Sequence, residues 1–199
     1  MKFIRKRASL PPLGLLTVAA LLPPEWAKRL VDRNVRQLVD RDLAWADLVF
    51  ISAMIAQRED AEVLIARCRA AGKVIVAGGP LFTSEHAQFP GVDHFVLNEA
   101  ELTLPEFLRD LAAGCAKPVY TATGFADVRT SPVPLWALAD LKHYASLALQ
   151  FSRGCPFDCE FCDVTAKFGH VPRTKSPAQV LAELDELHRL GWRGQVFFV

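Results

Sequence analysis

Three cysteines crowd into one short stretch, Cys155-Pro-Phe-Asp-Cys159-Glu-Phe-Cys162, with the spacing C-x3-C-x2-C and no fourth cysteine after them. The count selects the chemistry. Structural zinc takes four ligands and electron-transfer ferredoxins hold each cubane with four thiolates, whereas three thiolates on four irons leave one iron open to an exogenous ligand. An open iron suits catalysis better than electron storage. His170 is the residue that would instead complete a four-ligand zinc site. Five cysteines in 199 residues is an odd number in a chain too long for a disulfide miniprotein, so the pattern points to metal in a reducing, cytoplasmic compartment. Cys68 and Cys115 fall on or just past expected helices and read as small buried hydrophobes.

The elements around the cluster fix where it must sit. Residues 146–151 (SLALQF) form an apolar strand that runs directly into Arg153 and Gly154. Ser176 then caps a helix with Pro177 in its first turn and an apolar stripe of Val180, Leu181, Leu184, Leu187 and Leu190, and residues 195–199 (QVFFV) form another strand. Strand, cysteine loop, helix, strand is the first βαβ step of a larger parallel structure. A catalytic barrel needs about 250 residues, so any such barrel is incomplete here.

Upstream, residues 13–22 form a short buried helix between Pro11-Pro12 and Pro23-Pro24. The competing reading is a secretory leader, with Lys2, Arg5, Lys6 and Arg7 as its basic region and residues 10–22 as its apolar one. Strands are expected at 29–32, 47–52, 73–77 and 93–97. Helices are expected at 59–71, with Val63, Leu64, Cys68 and Ala71 on its apolar face, and at 106–113, with Phe107, Leu108 and Leu111 on one side. Such alternation implies a parallel sheet with helices on both faces, and ligands bind such sheets at the carboxyl ends of the strands. The loops after Ser52, Ala77 and Leu97 are therefore the candidates. In the second, Gly78, Gly79 and Pro80 either make a tight strand-to-helix turn or let a backbone approach a large flat or phosphorylated ligand. A doubly wound domain normally opens on a strand, so the sheet is expected to lack its first one. Residues 116–145 lose periodicity around Pro118, Pro132 and Pro134 and read as a linker.

Composition narrows the classes. Hydrophobic residues at 51%, charged residues at 23% and a net charge of +1 exclude disorder and give no support for nucleic-acid binding. No apolar window reaches the about 20 residues that span a bilayer.

The stretch Arg153-Gly154-Cys155-Pro-Phe-Asp-Cys159-Glu-Phe161-Cys162 resembles the signature of radical S-adenosylmethionine (SAM) enzymes. The resemblance implies that Cys155, Cys159 and Cys162 hold a 4Fe-4S cluster whose fourth iron is chelated by S-adenosylmethionine, with Phe161 beside the adenine. It further implies reductive cleavage to a 5'-deoxyadenosyl radical. Pro11-Pro12-Leu13-Gly14-Leu15, Val31-Asp32, Gly78-Gly79-Pro80 and Asn98-Glu99-Ala100-Glu101 resemble the cobalamin-binding domain that precedes many such enzymes. By that resemblance Ser52, Gly78, Gly79 and Pro80 contact cobalamin, and the absent Asp-x-His-x-x-Gly motif means that no histidine of this chain ligates cobalt. Asn98 stands where the related pattern usually has Gly. Residues 147–163 look most like the branch that includes hopanoid C-2 methylases.

The expected architecture is α/β, a parallel-sheet, Rossmann-like cobalamin-binding domain (1–115), a linker (116–145) and the first βαβ step of a truncated radical SAM barrel (146–199). The implied function is methyl transfer to an unactivated carbon by the full-length parent, with the fragment alone inactive and no catalytic side chain assigned in it. A non-methylating radical SAM transformation and a non-catalytic cobalamin and iron–sulfur module are the alternatives. Implied partners are a small-molecule or lipid-like substrate and an electron donor such as a flavodoxin or ferredoxin.

Overall fold

The structure is a computed structural model that describes residues 6–199. Lys2 and Arg5 of the leader-like reading lie outside the described residues. In chain order the elements are α1 (Leu13–Leu21), α2 (Asp40–Trp45), β1 (Leu48–Ser52), α3 (Arg58–Ala70), β2 (Val74–Gly78), α4 (Pro80–Glu85), β3 (His94–Val96), α5 (Ala100–Ala112), β4 (Val119–Tyr120), β5 (Leu147–Leu149), β6 (Ser152–Arg153), α6 (Val164–Phe168), β7 (Arg173–Thr174), α7 (Pro177–Arg189) and β8 (Val196–Phe198). They group into two compact units. One is Leu38–Ala126, and the other joins the chain up to Gln37 with Asp127–Val199.

In the unit Leu38–Ala126, β1, β2, β3 and β4 lie side by side in that order, every pair parallel, with Ser52 opposite Gly78 and Gly78 opposite Val96. Apolar strand residues such as Ile51, Ile75, Ala77 and Phe95 are buried together with Leu81, Phe82 and Phe89, whose rings meet edge to face at 4.9 Å. In α3 the buried face is Ala61, Ile65 and Cys68, a spacing of four and three that keeps one stripe on the core; Val63, expected on that face, is 61% exposed. α5 begins six residues before the expected start and contains Pro105, and its buried side is Thr103, Leu104 and Phe107. The Thr103 hydroxyl donates to Leu97 O at 3.0 Å, pinning the first turn of α5 to the end of β3. Cys115 corrects the sequence reading. It is exposed because Gly114, at φ 70°, ends the helix and turns the chain outward, whereas Cys68 is buried as expected.

In the other unit, Leu16 of α1 is buried against Trp136, Tyr144, Leu147 and Leu187, and Leu16 O accepts from Leu135 N–H at 3.0 Å. Residues 29–32 form no strand. The chain turns there instead, because the Asp32 carboxylate accepts from the backbone N–H of Asn34 at 2.9 Å and Asp32 O accepts from Val35 and Arg36 N–H, a local alternative to a ladder. The second carboxylate oxygen of Asp32 accepts from the buried Tyr144 hydroxyl at 2.9 Å. β5 and β8 pair in parallel with Leu147 opposite Val196, and α7 connects them, so the βαβ step is formed as expected. Ser176 caps α7, accepting from Gln179 N–H at 3.3 Å while Gln179 Oε1 accepts from Ser176 N–H at 3.0 Å. Leu181, expected on the apolar stripe, is 60% exposed; the buried positions of α7 are Glu183 and Leu187. Among the described residues no helix is long and apolar enough to cross a membrane.

Candidate functional site

The cysteine loop leaves the carboxyl end of β5, the edge at which parallel barrels hold their reactive groups. A short antiparallel ribbon closes its neck, with Ser152 opposite Thr174 and Arg153 opposite Arg173, and Lys175 N–H donates to Phe151 O at 2.9 Å. Gly154 follows at φ 94°, and a Cβ there would lie 2.5 Å from Val171 O and 3.1 Å from Phe168 O. Only glycine lets the outgoing limb pass that close under the returning one. Cys155 N–H donates to Gly169 O at 3.1 Å, and the Arg173 guanidinium donates to Phe168 O at 3.0 Å, so the return limb is tied on both sides. In α6, Lys167 pairs with Asp163 and holds its carboxyl below the usual carboxylate range.

Cys155 is half-buried and Cys159 and Cys162 are exposed within one turn, where Cys162 N–H donates to Cys159 O at 3.0 Å. All three are free thiols. Phe161 is 94% exposed beside them. Among the described residues no three ligating side chains converge on one point, so the loop is not a preformed cage. The donor set nevertheless fits an iron–sulfur cluster: three unpaired sulfurs on one tethered loop, the soft ligands such clusters take.

Beneath the neck lies a pair that periodicity did not reveal. Lys175 and Glu183 form an ion pair with 5% and 1% of their side chains exposed. Burial pushes the Glu183 carboxyl up, Lys175 opposes this, and Glu183 Oε2 has no hydrogen-bond partner. The available signal was position, because Glu183 stands three residues after Val180 and four before Leu187, inside the apolar stripe. One turn earlier, Gln179 Nε2 donates to Arg129 O at 2.9 Å. That segment starts at Asp127, whose carboxylate accepts from Arg129 Nη2 at 2.7 Å and is pulled down to about 2, first by the Arg129 side-chain hydrogen bonds and then by the Arg129 backbone N–H. A folded-state value below the ordinary one means that this interaction is present above the usual carboxylate range and is lost as pH falls toward about 2. Carboxyl-detected NMR of Asp127 should show that low midpoint; titration in the ordinary range would contradict the pairing.

In the unit Leu38–Ala126, the structure brings Ser52, Gly78, Gly79 and Pro80 together at the carboxyl edge of the sheet, where β1 and β2 end. A Cβ on Gly78 would lie 2.5 Å from Val96 O, and one on Gly79, at φ 86°, 2.3 Å from Ser52 Oγ. The turn therefore needs both glycines, and the same lack of side chains leaves backbone as the edge surface. Pro80 opens α4, and Leu81 N–H donates to Ala53 O at 3.1 Å. Met54 and Ile55, just past Ser52, are 58% and 47% exposed, giving the edge an apolar flank. Asn98 sits past β3 at φ 62° in the left-handed region, which Asn tolerates better than most side chains. The two histidines of this unit are engaged elsewhere. His94 opens β3 at the amino edge with Nδ1 2.8 Å from Lys117 O, and His86 lies with its ring 5.5 Å from that of Phe95. A bare backbone edge with an apolar flank and no histidine at the strand ends fits a large flat corrinoid held without a protein imidazole.

The B12 binding domain family model matches residues 6–108 and the Radical SAM superfamily model matches residues 149–199. The chain is 47% identical to an uncharacterized methyltransferase of Synechocystis sp., covering 100% of this chain and 38% of that protein. It is 36% identical to the hopanoid C-2 methylase of Rhodopseudomonas palustris, covering 96% of this chain and 37% of that one. The chain thus spans well under half the length of these curated relatives. Two solved structures share the fold. They are the cobalamin-dependent S-adenosylmethionine radical enzyme OxsB (TM-score 0.74, 21% identity, 97% of this chain and 32% of that one) and the radical S-adenosylmethionine methyltransferase TsrM of Kitasatospora setae (TM-score 0.70, 17% identity, 97% and 48%). The chain belongs to the B12 binding domain family, and its residues 149–199 match the Radical SAM superfamily model.

Proposed function

We propose that this chain is the cofactor-holding portion of a cobalamin-dependent radical SAM methyltransferase acting on an unactivated carbon of a small or lipid-like substrate. The observation that carries the reading is the cysteine loop. Three free thiols stand on a single tethered loop at the carboxyl end of a parallel strand, in a chain whose other unit presents a bare-backbone sheet edge. When bound, the cluster supplies the electron that cleaves S-adenosylmethionine and the corrinoid supplies methyl carriage.

This chain's residues do the holding. Cys155, Cys159 and Cys162 ligate, and the exposed ring of Phe161 offers a stacking face to adenine. Ser52, Gly78, Gly79 and Pro80 form the corrinoid's resting edge. An external one-electron donor of the flavodoxin or ferredoxin type supplies the electron.

Anaerobic reconstitution tests the cluster directly. About four iron and four sulfide per chain are expected, lost on replacing Cys155, Cys159 or Cys162 by Ala and retained on replacing Cys68 or Cys115. Iron loss in the last two variants with retention in the first three would overturn the ligand set. For the corrinoid, electron paramagnetic resonance of the bound cob(II)alamin state should show no nitrogen splitting from a protein histidine, and such a splitting would contradict the edge as described.

A further inference from the structure

We propose that the carboxamide Nδ2 of Asn98 donates a hydrogen bond to a peripheral amide carbonyl of the corrinoid; this rests on the cobalamin reading above and assigns it a contact residue. Asn98 is the one described non-glycine residue at positive φ, so its backbone sits where few side chains go. Three hydrogen bonds hold it there. Asn98 N–H donates to Thr83 Oγ1 at 3.1 Å, and Asn98 Oδ1 accepts from the Thr121 hydroxyl at 2.7 Å and from Ala122 N–H at 3.3 Å. The last bond fixes which way the amide faces. A backbone N–H can only donate, so the oxygen must point to Ala122 and the nitrogen must point away from it.

Asn98 Nδ2 bonds to no described protein group, and the side chain is exposed. Its two hydrogens are therefore unspent, on a carboxamide whose turning over would set Nδ2 against the Ala122 N–H, donor against donor. The residue joins three strand-end segments: β3, the α4 helix that Gly79 and Pro80 begin, and the chain after β4. A fixed, uncharged, two-hydrogen donor on that carboxyl edge is matched to a neutral carbonyl acceptor, of which a corrinoid rim carries several. Holding the donor in place before binding removes the entropic cost of ordering it.

The test is a titration of the whole chain with hydroxocobalamin, followed by absorbance, on the parent and on Asn98→Asp and Asn98→Gly, with thermal melts of each. Asn98→Asp keeps an acceptor for Thr121 and Ala122 and keeps tolerance of the left-handed backbone, but exchanges the donor for a second acceptor. Asn98→Gly keeps the backbone and removes the side chain. The expected result is that Asn98→Asp melts with the parent and binds about tenfold more weakly, no better than Asn98→Gly. Parent-like affinity in Asn98→Asp with loss in Asn98→Gly would make Asn98 a loop latch only and overturn the proposal. Parent-like affinity in Asn98→Gly would overturn it even if Asn98→Asp misfolds. Failure of the parent itself to bind is a different outcome, which removes the cobalamin reading and the proposal with it.

Discussion

Replacing Gly154 by Ala is expected to abolish most iron incorporation while lowering the thermal melt by only several degrees, so that the fold survives. At φ 94° an alanine carries strain of about 1–3 kcal/mol. The added methyl would also meet Val171 O at 2.5 Å, and that atom is backbone held by the ribbon of Arg153 against Arg173. The neck must open to admit it. Opening separates Cys155 from Gly169, to which it is bonded, and the loop loses the frame that sets its three sulfurs. Gly72 supplies the control. It also has positive φ, at 65°, but nothing lies within 4 Å of a Cβ there, so Gly72→Ala should cost about 1 kcal/mol in stability and no iron. Measuring iron per chain and melting temperature for both variants decides the matter; full iron in Gly154→Ala would show that the neck does not present the cysteines.

The second large effect belongs to Lys175 and Glu183. Removing either partner leaves a charge in a site with almost no solvent, and Lys175→Met or Glu183→Leu alone should cost about 3–5 kcal/mol. The double variant should be much closer to the parent, because apolar side chains of similar volume remove both desolvation costs at once and also remove the partnerless Oε2 oxygen. Urea melts of the four proteins form a cycle. Additive single costs in the double variant would show that the two groups do not act as a pair.

The chemistry was more legible in the sequence than the packing. The cysteine spacing stands within one stretch, and proline pairs or a Ser-Pro start bracket α1 and α7, so local rules suffice for them. α2 and α4 have six residues each and β4, β6 and β7 two each, too short for any period to register. The sequence pattern starts α5 late because Pro105 lies inside the helix, where proline ordinarily marks a boundary. Residues 29–32 have strand composition, but Asp32 finds its partners in its own turn and in Tyr144, a residue far along the chain. At the candidate site, the glycines of the sheet edge were visible by type. The latch at Asn98 was not, since it depends on Thr83 and on Thr121-Ala122 arriving from two other segments of the chain.

The pairing of α1 with residues from the far end of the chain sets an order of events during synthesis. Leu16 leaves the ribosome well before Trp136, Tyr144, Leu147 and Leu187, its buried neighbours. At about 5–20 residues per second that interval is roughly 6 to 30 seconds. A nine-residue helix is marginal in water by itself, so its leucines have no shelter of their own meanwhile. The sheet of β1 to β4 has all its strands between those two times and pairs neighbours in sequence. It should reach its native hydrogen bonds while α1 is still waiting for its partners, which makes this helix fold after the sheet that follows it in sequence and leaves it exposed longer to chaperones and proteases.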